Sequence, residues 1–299
     1  MDMTRRAALA ATLTAGLVGG CSGLGTLNGI NGLTPGDGGA GKVADGIAFG
    51  PDKRQRLDIY APKGASGLPV IVFFYGGSWK SGARGDYAFV GQALAAQGFV
   101  VVVADYRLVP QVRFPAFVED GAAAVGWTAD HIAAHGGDPA RIAVAGHSAG
   151  GYIAIMLALD QRWLAARPGV IKAAVGVAGP YDFAPFAPGG AAEAAFGQAA
   201  DIAATQPITY ARGDAPPLLL LTGDSDTTVR PRNAEVLAAA VTARGGRVQT
   251  ATYPGVGHIG IILALSKPFR GKAPVVADMI EFLTTAPGIA PGAGGRSGG

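Results

Sequence analysis

Apolar residues along this chain fall into two patterns. Residues 68–75 (LPVIVFFY), 99–104 (FVVVVA), 141–145 (RIAVA), 170–178 (VIKAAVGVA) and 217–222 (PLLLLT) are short, nearly unbroken apolar runs. Such runs, rich in β-branched residues or leucine and closed by glycine, proline or aspartate, predict strands buried on both faces of a parallel sheet. Residues 43–49 and 56–60, joined by a turn at Gly50, Pro51 and Asp52, predict an opening pair of strands, and 247–253 a closing one. Between the runs the spacing turns helical: within 86–97, then over 114–135, 151–159, 232–243 and 273–283. Strands alternating with helices in this way predict an α/β fold. It is a doubly wound, mostly parallel sheet with antiparallel strands at its N-terminal edge. Residues 181–216 keep no period and should form a short irregular cap within a domain spanning 43–284.

The run at 141–145 leads into Gly146-His147-Ser148-Ala149-Gly150, and a buried helical pattern follows directly. A serine between glycines, where a strand passes sharply into a helix, is lifted clear of the sheet, and the first helical N–H groups face whatever it attacks. Ser148 is therefore the candidate nucleophile. A serine hydroxyl needs a base within hydrogen-bond reach, and the chain has only four histidines. His147 adjoins the serine and should point elsewhere. His131 and His135 lie one helical turn apart with no zinc-protease glutamate, which predicts surface or capping roles. His258, in a Gly-rich turn past the last strand, is the candidate base. Two carboxylates, Asp224 and Asp226, follow the strand ending at Thr222. Asp226, deeper in the turn, is expected to orient His258, and Asp224 to hold the turn backbone. Negative charge developing on an attacked carbonyl oxygen needs fixed donors. Gly77, Ser78 and Ala149 N–H are expected to supply them.

Composition narrows the rest. The 299 residues are 49% hydrophobic and 15% charged, with a net charge of +3 and no basic cluster, which gives no nucleic-acid footprint. At the N-terminus Arg5 and Arg6 precede a short apolar run and then Val18-Gly19-Gly20-Cys21. This reads as a signal peptide over 1–20 and resembles a bacterial lipobox, in which the cysteine is acylated. Cys21 is the single cysteine. The expectation is an exported lipoprotein held to a membrane through Cys21; Ser22 favours the outer membrane in a Gram-negative cell. Residues 21–42 are expected to form a flexible tether, and the Gly/Ala/Pro-rich residues 285–299 a disordered tail.

Several further motifs stand beside the serine motif: Tyr75-Gly76-Gly77-Ser78-Trp79, DYRLVP at 105–110, FPAFVED at 114–120, and Gly137-Asp138-Pro139 with Arg141. Jointly they resemble the carboxylesterase branch of the α/β-hydrolases, including its hormone-sensitive-lipase-like and feruloyl-esterase- or arylformamidase-like members. The resemblance covers about 43–283 and implies the α/β-hydrolase fold and a serine esterase without a cofactor. Ser148, Asp226 and His258 would act as its triad, with Gly77, Ser78 and Ala149 as the oxyanion donors. It departs from the family in having Tyr75 where histidine usually opens the oxyanion motif, and in lacking a helical N-terminal cap. Trp79, Phe183, Phe186 and Phe196 are candidates to line the substrate pocket, ordinary packing being the other reading. Asp105 and Arg107 are expected to tie loops behind the site, with Glu119 or Asp120 as partners. An amide or peptide hydrolase with the same triad, and a catalytically silent binding protein, remain alternatives.

Overall fold

The computed structural model describes residues 21–289, with backbone alone for 21–26. The expected signal segment 1–20 and the last residues, 290–299, lie outside the described residues. Eight strands form one sheet: β1 (Ala40–Ala48), β2 (Arg56–Pro62), β3 (Leu68–Phe74), β4 (Val100–Ala104), β5 (Gly137–His147), β6 (Ile171–Val177), β7 (Leu218–Gly223) and β8 (Val248–Tyr253). Their spatial order is β1-β2-β4-β3-β5-β6-β7-β8. The β1–β2 and β2–β4 pairs are antiparallel and the others parallel. This is the doubly wound arrangement of an α/β-hydrolase. The continuous apolar runs are the central strands: every residue of β4 and β7 is buried, as are the last residues of β3, β5 and β6.

The helices are α1 (Cys21–Leu33), α2 (Ala88–Ala95), α3 (Ala116–His131), α4 (Ala149–Leu159), α5 (Ala191–Phe196), α6 (Arg232–Thr242), α7 (His258–Leu263) and α8 (Val275–Thr285). Helix α4, buried along its whole length, packs across β3, β5 and β6. An all-round apolar helix can occupy that central position without exposing a face to water. The chain leaves β3 towards β4 on one side and returns to β5 on the other. The loops after β3 and β5 therefore open away from each other and leave a crevice at the sheet's C-terminal rim. The cap region 181–216 carries only α5 and two short 3-10 turns.

One expectation is overturned. Residues 21–33 are not a loose tether but a helix docked on the domain. Leu27 is fully buried. The Asn28 side chain donates to Gly85 O (2.6 Å) and accepts from Phe89 N–H (3.1 Å). Asn31 Oδ1 accepts from Lys267 N–H at 2.8 Å, and Asp37 pairs with Arg270 at 2.7 Å. Glycines give this stretch poor intrinsic helicity, and packing against residues distant in sequence supplies the stability that propensity lacks. The start of the C-terminal tail is also packed: Ile289 is buried, and its carbonyl accepts from Arg141 Nε and Nη2 (3.1 and 2.7 Å).

Candidate active site

Ser148 sits between β5 and α4 with φ 53° and ψ −120°, a strained conformation that aims its side chain out of the sheet. The flanking glycines make the turn geometrically feasible. A Cβ at Gly146 would collide with the Gly150 carbonyl, and one at Gly150 with the Phe74 carbonyl. The turn is closed by Ser148 N–H to Val177 O (2.9 Å) and by Tyr152 N–H to Ser148 O (3.0 Å).

The structure brings Ser148, Asp226 and His258 together. His258 opens α7, and its Nε2 lies 2.9 Å from Ser148 Oγ. Its Nδ1 lies 2.7 Å from Asp226 Oδ2. The other carboxylate oxygen of Asp226 accepts from Thr228 N–H and Val229 N–H, at 2.9 and 2.8 Å. The Asp226 carboxylate is wholly shielded from solvent while the His258 side chain keeps 11% exposure. A carboxylate that is held by two amides and shielded from water can face only the imidazole N–H, which fixes the tautomer with Nδ1 protonated and Nε2 free to accept from the serine. Asp224 does what its position in the turn implied: its Oδ1 accepts from Gly255 N–H (2.7 Å) and Ser225 Oγ–H (2.9 Å).

The loop after β3 carries three consecutive residues of positive φ: Gly77 (133°), Ser78 (54°) and Trp79 (58°). Its internal bonds run from Lys80 N–H and Ser81 N–H to Gly77 O, at 3.0 and 3.1 Å. The Gly77 and Ser78 amides take no part in them. Ala149 N–H opens α4, where the first amides have no acceptor within the helix. Behind this loop Tyr75 is buried and stacks on Tyr106 with ring centroids 4.7 Å apart. Arg54 Nη2 donates to Tyr75 Oη (2.6 Å) and Gly82 O (2.8 Å), and Arg54 Nε to Tyr106 O (2.9 Å). Burial pushes the Tyr75 phenol far above its ordinary range, so Arg54 meets a neutral acceptor. Arg107 clasps Asp120 (Nη2 to Oδ1, 2.8 Å), with Glu119 at 3.9 Å. Asp105 takes the Arg84 amide (2.7 Å) and guanidinium (2.6 Å), and Arg84 also reaches buried Asp58.

Trp79 stacks on Phe183 (6.0 Å, 18° between planes) and meets Phe196 and Tyr152 edge-on. Phe186 in turn contacts Phe183 and Phe196. The cap aromatics thus pack against the loop after β3 through Trp79. A 510 Å³ cavity lined by Leu157, Ile171, Arg212 and Pro217 lies at the opposite ends of β6 and β7 and contains none of these residues. His131 stacks on Trp127 at 4.8 Å. Among the described residues no group of three His, Cys, Asp or Glu is placed to hold a metal ion.

Sequence reasoning missed Arg54, Tyr87 and what His147 does. His147 is fully buried and points away from the serine; its Nε2 lies 3.1 Å from the His258 carbonyl oxygen and its Nδ1 3.2 Å from Tyr87 Oη. A polar ring inside an otherwise apolar strand end was the available signal, since buried polar groups are normally hydrogen-bonded.

The model of the BD-FAE family matches residues 57–241, from β2 to the end of α6, which includes Ser148 and Asp226 and stops short of His258. A probable isoprenylcysteine alpha-carbonyl methylesterase ICMEL1 of Oryza sativa subsp. japonica is 29% identical over 77% of this chain and 60% of its own length. Esterase LipC of Mycobacterium tuberculosis is 31% identical over 71% of this chain and 58% of its own. The chain thus spans about three-fifths of the curated relatives it matches. Among solved structures, the Pyrobaculum calidifontis esterase in its monoclinic form aligns with a TM-score of 0.70 at 26% identity, over 88% of this chain and 89% of that one. The propionate-bound esterase 2 of Thermogutta terrifontis aligns with a TM-score of 0.69 at 25% identity, over 86% and 98%. With β2 to β7 matched by the family model and 88% of the chain aligned with a solved esterase, the chain belongs to the BD-FAE family of α/β-hydrolases.

Proposed function

We propose that this protein hydrolyses carboxylic esters through an acyl-enzyme on Ser148. The observation that carries the reading is the unbroken line from Asp226 through His258 to Ser148, at 2.7 and 2.9 Å. Ser148 Oγ attacks the ester carbonyl carbon while its proton passes to His258 Nε2. The oxyanion is met by the Gly77, Ser78 and Ala149 amides. Collapse breaks the bond to the alcohol oxygen, which leaves with the proton from His258. Water, deprotonated by His258, then attacks the acyl-enzyme, releasing the acid and restoring Ser148. Asp226 holds the imidazole in register and offsets its transient charge. Trp79, Phe183 and Phe186 form the apolar wall that receives one side of the substrate. The esterase relatives support this chemistry.

The test is a p-nitrophenyl ester series, acetate to octanoate, with wild type and Ser148→Ala. Hydrolysis by the first and background rates from the second are expected; equal rates would end the proposal.

The chain is further proposed to be exported and acylated at Cys21, on the strength of the basic, apolar and small-residue sequence over residues 5–21. Among the described residues no helix is long and apolar enough to cross a membrane. Incorporation of labelled palmitate into wild type, and its loss in Cys21→Ser, is the expected result; labelling that survives the substitution would refute it.

A further inference from the structure

His147 is the middle of a buried hydrogen-bond line that joins the two halves of the site. Its Nε2 faces the His258 carbonyl oxygen at 3.1 Å. A carbonyl only accepts, so Nε2 carries the proton. In the neutral ring Nδ1 is then a bare acceptor, and it faces Tyr87 Oη at 3.2 Å. Tyr87 Oη donates to it and accepts from Gly76 N–H, also at 3.2 Å. The line therefore runs from Gly76, the residue before the first oxyanion donor, through Tyr87 and His147 to the backbone of the catalytic base. Gly76, Tyr87 and His147 are buried, and His258 is half-buried. Burial, with His258 close by, keeps the His147 ring in its neutral form.

The surroundings are shaped for this line. A Cβ at Gly76 would lie 2.8 Å from His147 Nδ1, 3.1 Å from Tyr87 Oη and 3.1 Å from Ser148 Cβ. Glycine at 76 is thus what leaves room for the imidazole. The His147 and His258 rings lie with centroids 5.0 Å apart. His147 is fixed in turn by β5, whose final residue it is, and by Ser148 next to it. A rigid strand end, the oxyanion loop and the start of α7 are thereby tied to one ring.

We propose that His147 is a positioning residue that sets the distance between the general base and the oxyanion donors through its bonds to the His258 carbonyl and to Tyr87. It touches no substrate. Its effect is on where the His258 imidazole stands when Ser148 gives up its proton and where the Gly77 and Ser78 amides stand when the oxyanion forms. Such an effect belongs to the transition state, so it appears in kcat and leaves KM nearly unchanged.

This inference rests on the esterase reading, and the test separates the two. Wild-type turnover of p-nitrophenyl acetate, absent in Ser148→Ala, secures the reading itself. The full chain is then compared with His147→Gln, His147→Asn, His147→Leu and Tyr87→Phe. Glutamine places an N–H near the position of Nε2 and keeps the bond to the His258 carbonyl. Asparagine places an oxygen near Nδ1 and keeps only the bond to Tyr87. A displacement of about 1 Å in a catalytic group lowers rate by about 10²-fold. The expected result is a fall of roughly 10- to 100-fold in kcat for Leu and Asn, most of it restored by Gln, with KM steady throughout and a smaller fall for Tyr87→Phe. If the Leu variant does not fold, the Gln and Asn pair carries the test, because both retain one of the two bonds. Equal kcat for Gln and Asn, or a loss expressed in KM alone, would overturn the proposal.

Discussion

Asp226 Oδ2 and His258 Nδ1 lie 2.7 Å apart although 32 residues separate them, and Asp226 has its other oxygen clamped by the amides of Thr228 and Val229. The carboxylate can neither rotate nor take up water, so it orients the imidazole at no further ordering cost. Asp224, two residues earlier, spends its carboxylate on Gly255 and Ser225 and faces solvent. Asp226→Asn is therefore expected to lower kcat by about 10⁴-fold, the scale of losing the correct histidine tautomer. Asp224→Asn should leave kcat within a few-fold of wild type. Steady-state kinetics of the pair checks the assignment, and the reverse ranking would transfer the role to Asp224.

Gly77 has φ 133°, and a Cβ there would overlap the Ser81 carbonyl. Gly77→Ala must therefore move the loop that carries two of the three proposed oxyanion donors. The expected loss in kcat is about 10²- to 10³-fold, with the folded state retained by circular dichroism. Unchanged turnover would show that the oxyanion is stabilised elsewhere.

Phe183 stacks on Trp79 from the cap side, and both are proposed to wall the substrate. Phe183→Ala should open that wall and favour longer acyl chains. One methylene in an apolar pocket is worth roughly 1–3 kcal/mol at most, so the octanoate-to-acetate ratio of kcat/KM is expected to rise about tenfold or more. An unchanged ratio would place the acyl chain against other residues.

Burial holds His147 below the ordinary histidine pKa of 6.5 in the folded protein. Below that pH the unfolded chain takes up a proton that the native state resists. Stability contributed by the neutral ring is thus fully present above pH 6.5 and is lost as the pH falls towards the depressed native value. Melting temperatures of wild type and His147→Gln between about pH 8 and 5, a range set around the histidine pKa, measure this. Wild type should lose more than the variant on acidification, whereas parallel curves would contradict it.

Helix α1 buries Leu27 and uses Asn28 and Asn31 as ties to residues 85, 89 and 267, and Asp37, just after it, pairs with Arg270. Burying one leucine contributes about 1.5–3 kcal/mol. A chain starting at Gly38 is expected to melt about 5–10 °C below one starting at Cys21, at about 2–4 °C per kcal/mol for a domain of this size. Equal melting temperatures would return this segment to the role of a passive tether.

Much of this was legible in the chain itself, for physical reasons. A parallel strand buried on both faces must be continuously apolar, and so β3 to β7 stood out. A serine on a strand-to-helix turn needs glycines beside it, and few histidines competed for Ser148. The hidden parts depend on contacts that no local pattern encodes. The Asn28 and Asn31 amides dock α1 onto residues 57 to 236 positions away, in a stretch whose glycines read as loop. Arg54 reaches the loop after β3 from the turn between β1 and β2, where an arginine reads as ordinary surface. His147 shows its partners only once β5, the 3-10 turn over Arg84–Tyr87 and α7 are assembled.

Because α1 is tied to Gly85 and Phe89 through Asn28 and to Lys267 through Asn31, the chain enters the domain along a fixed bearing. Lys267 and Arg270 follow α7, the helix that His258 opens. With Cys21 acylated as proposed, this helix would hold the rim that carries Ser148 and His258 at a set angle to the membrane. Acylation of a slack segment would instead leave the same domain free to tumble through every orientation.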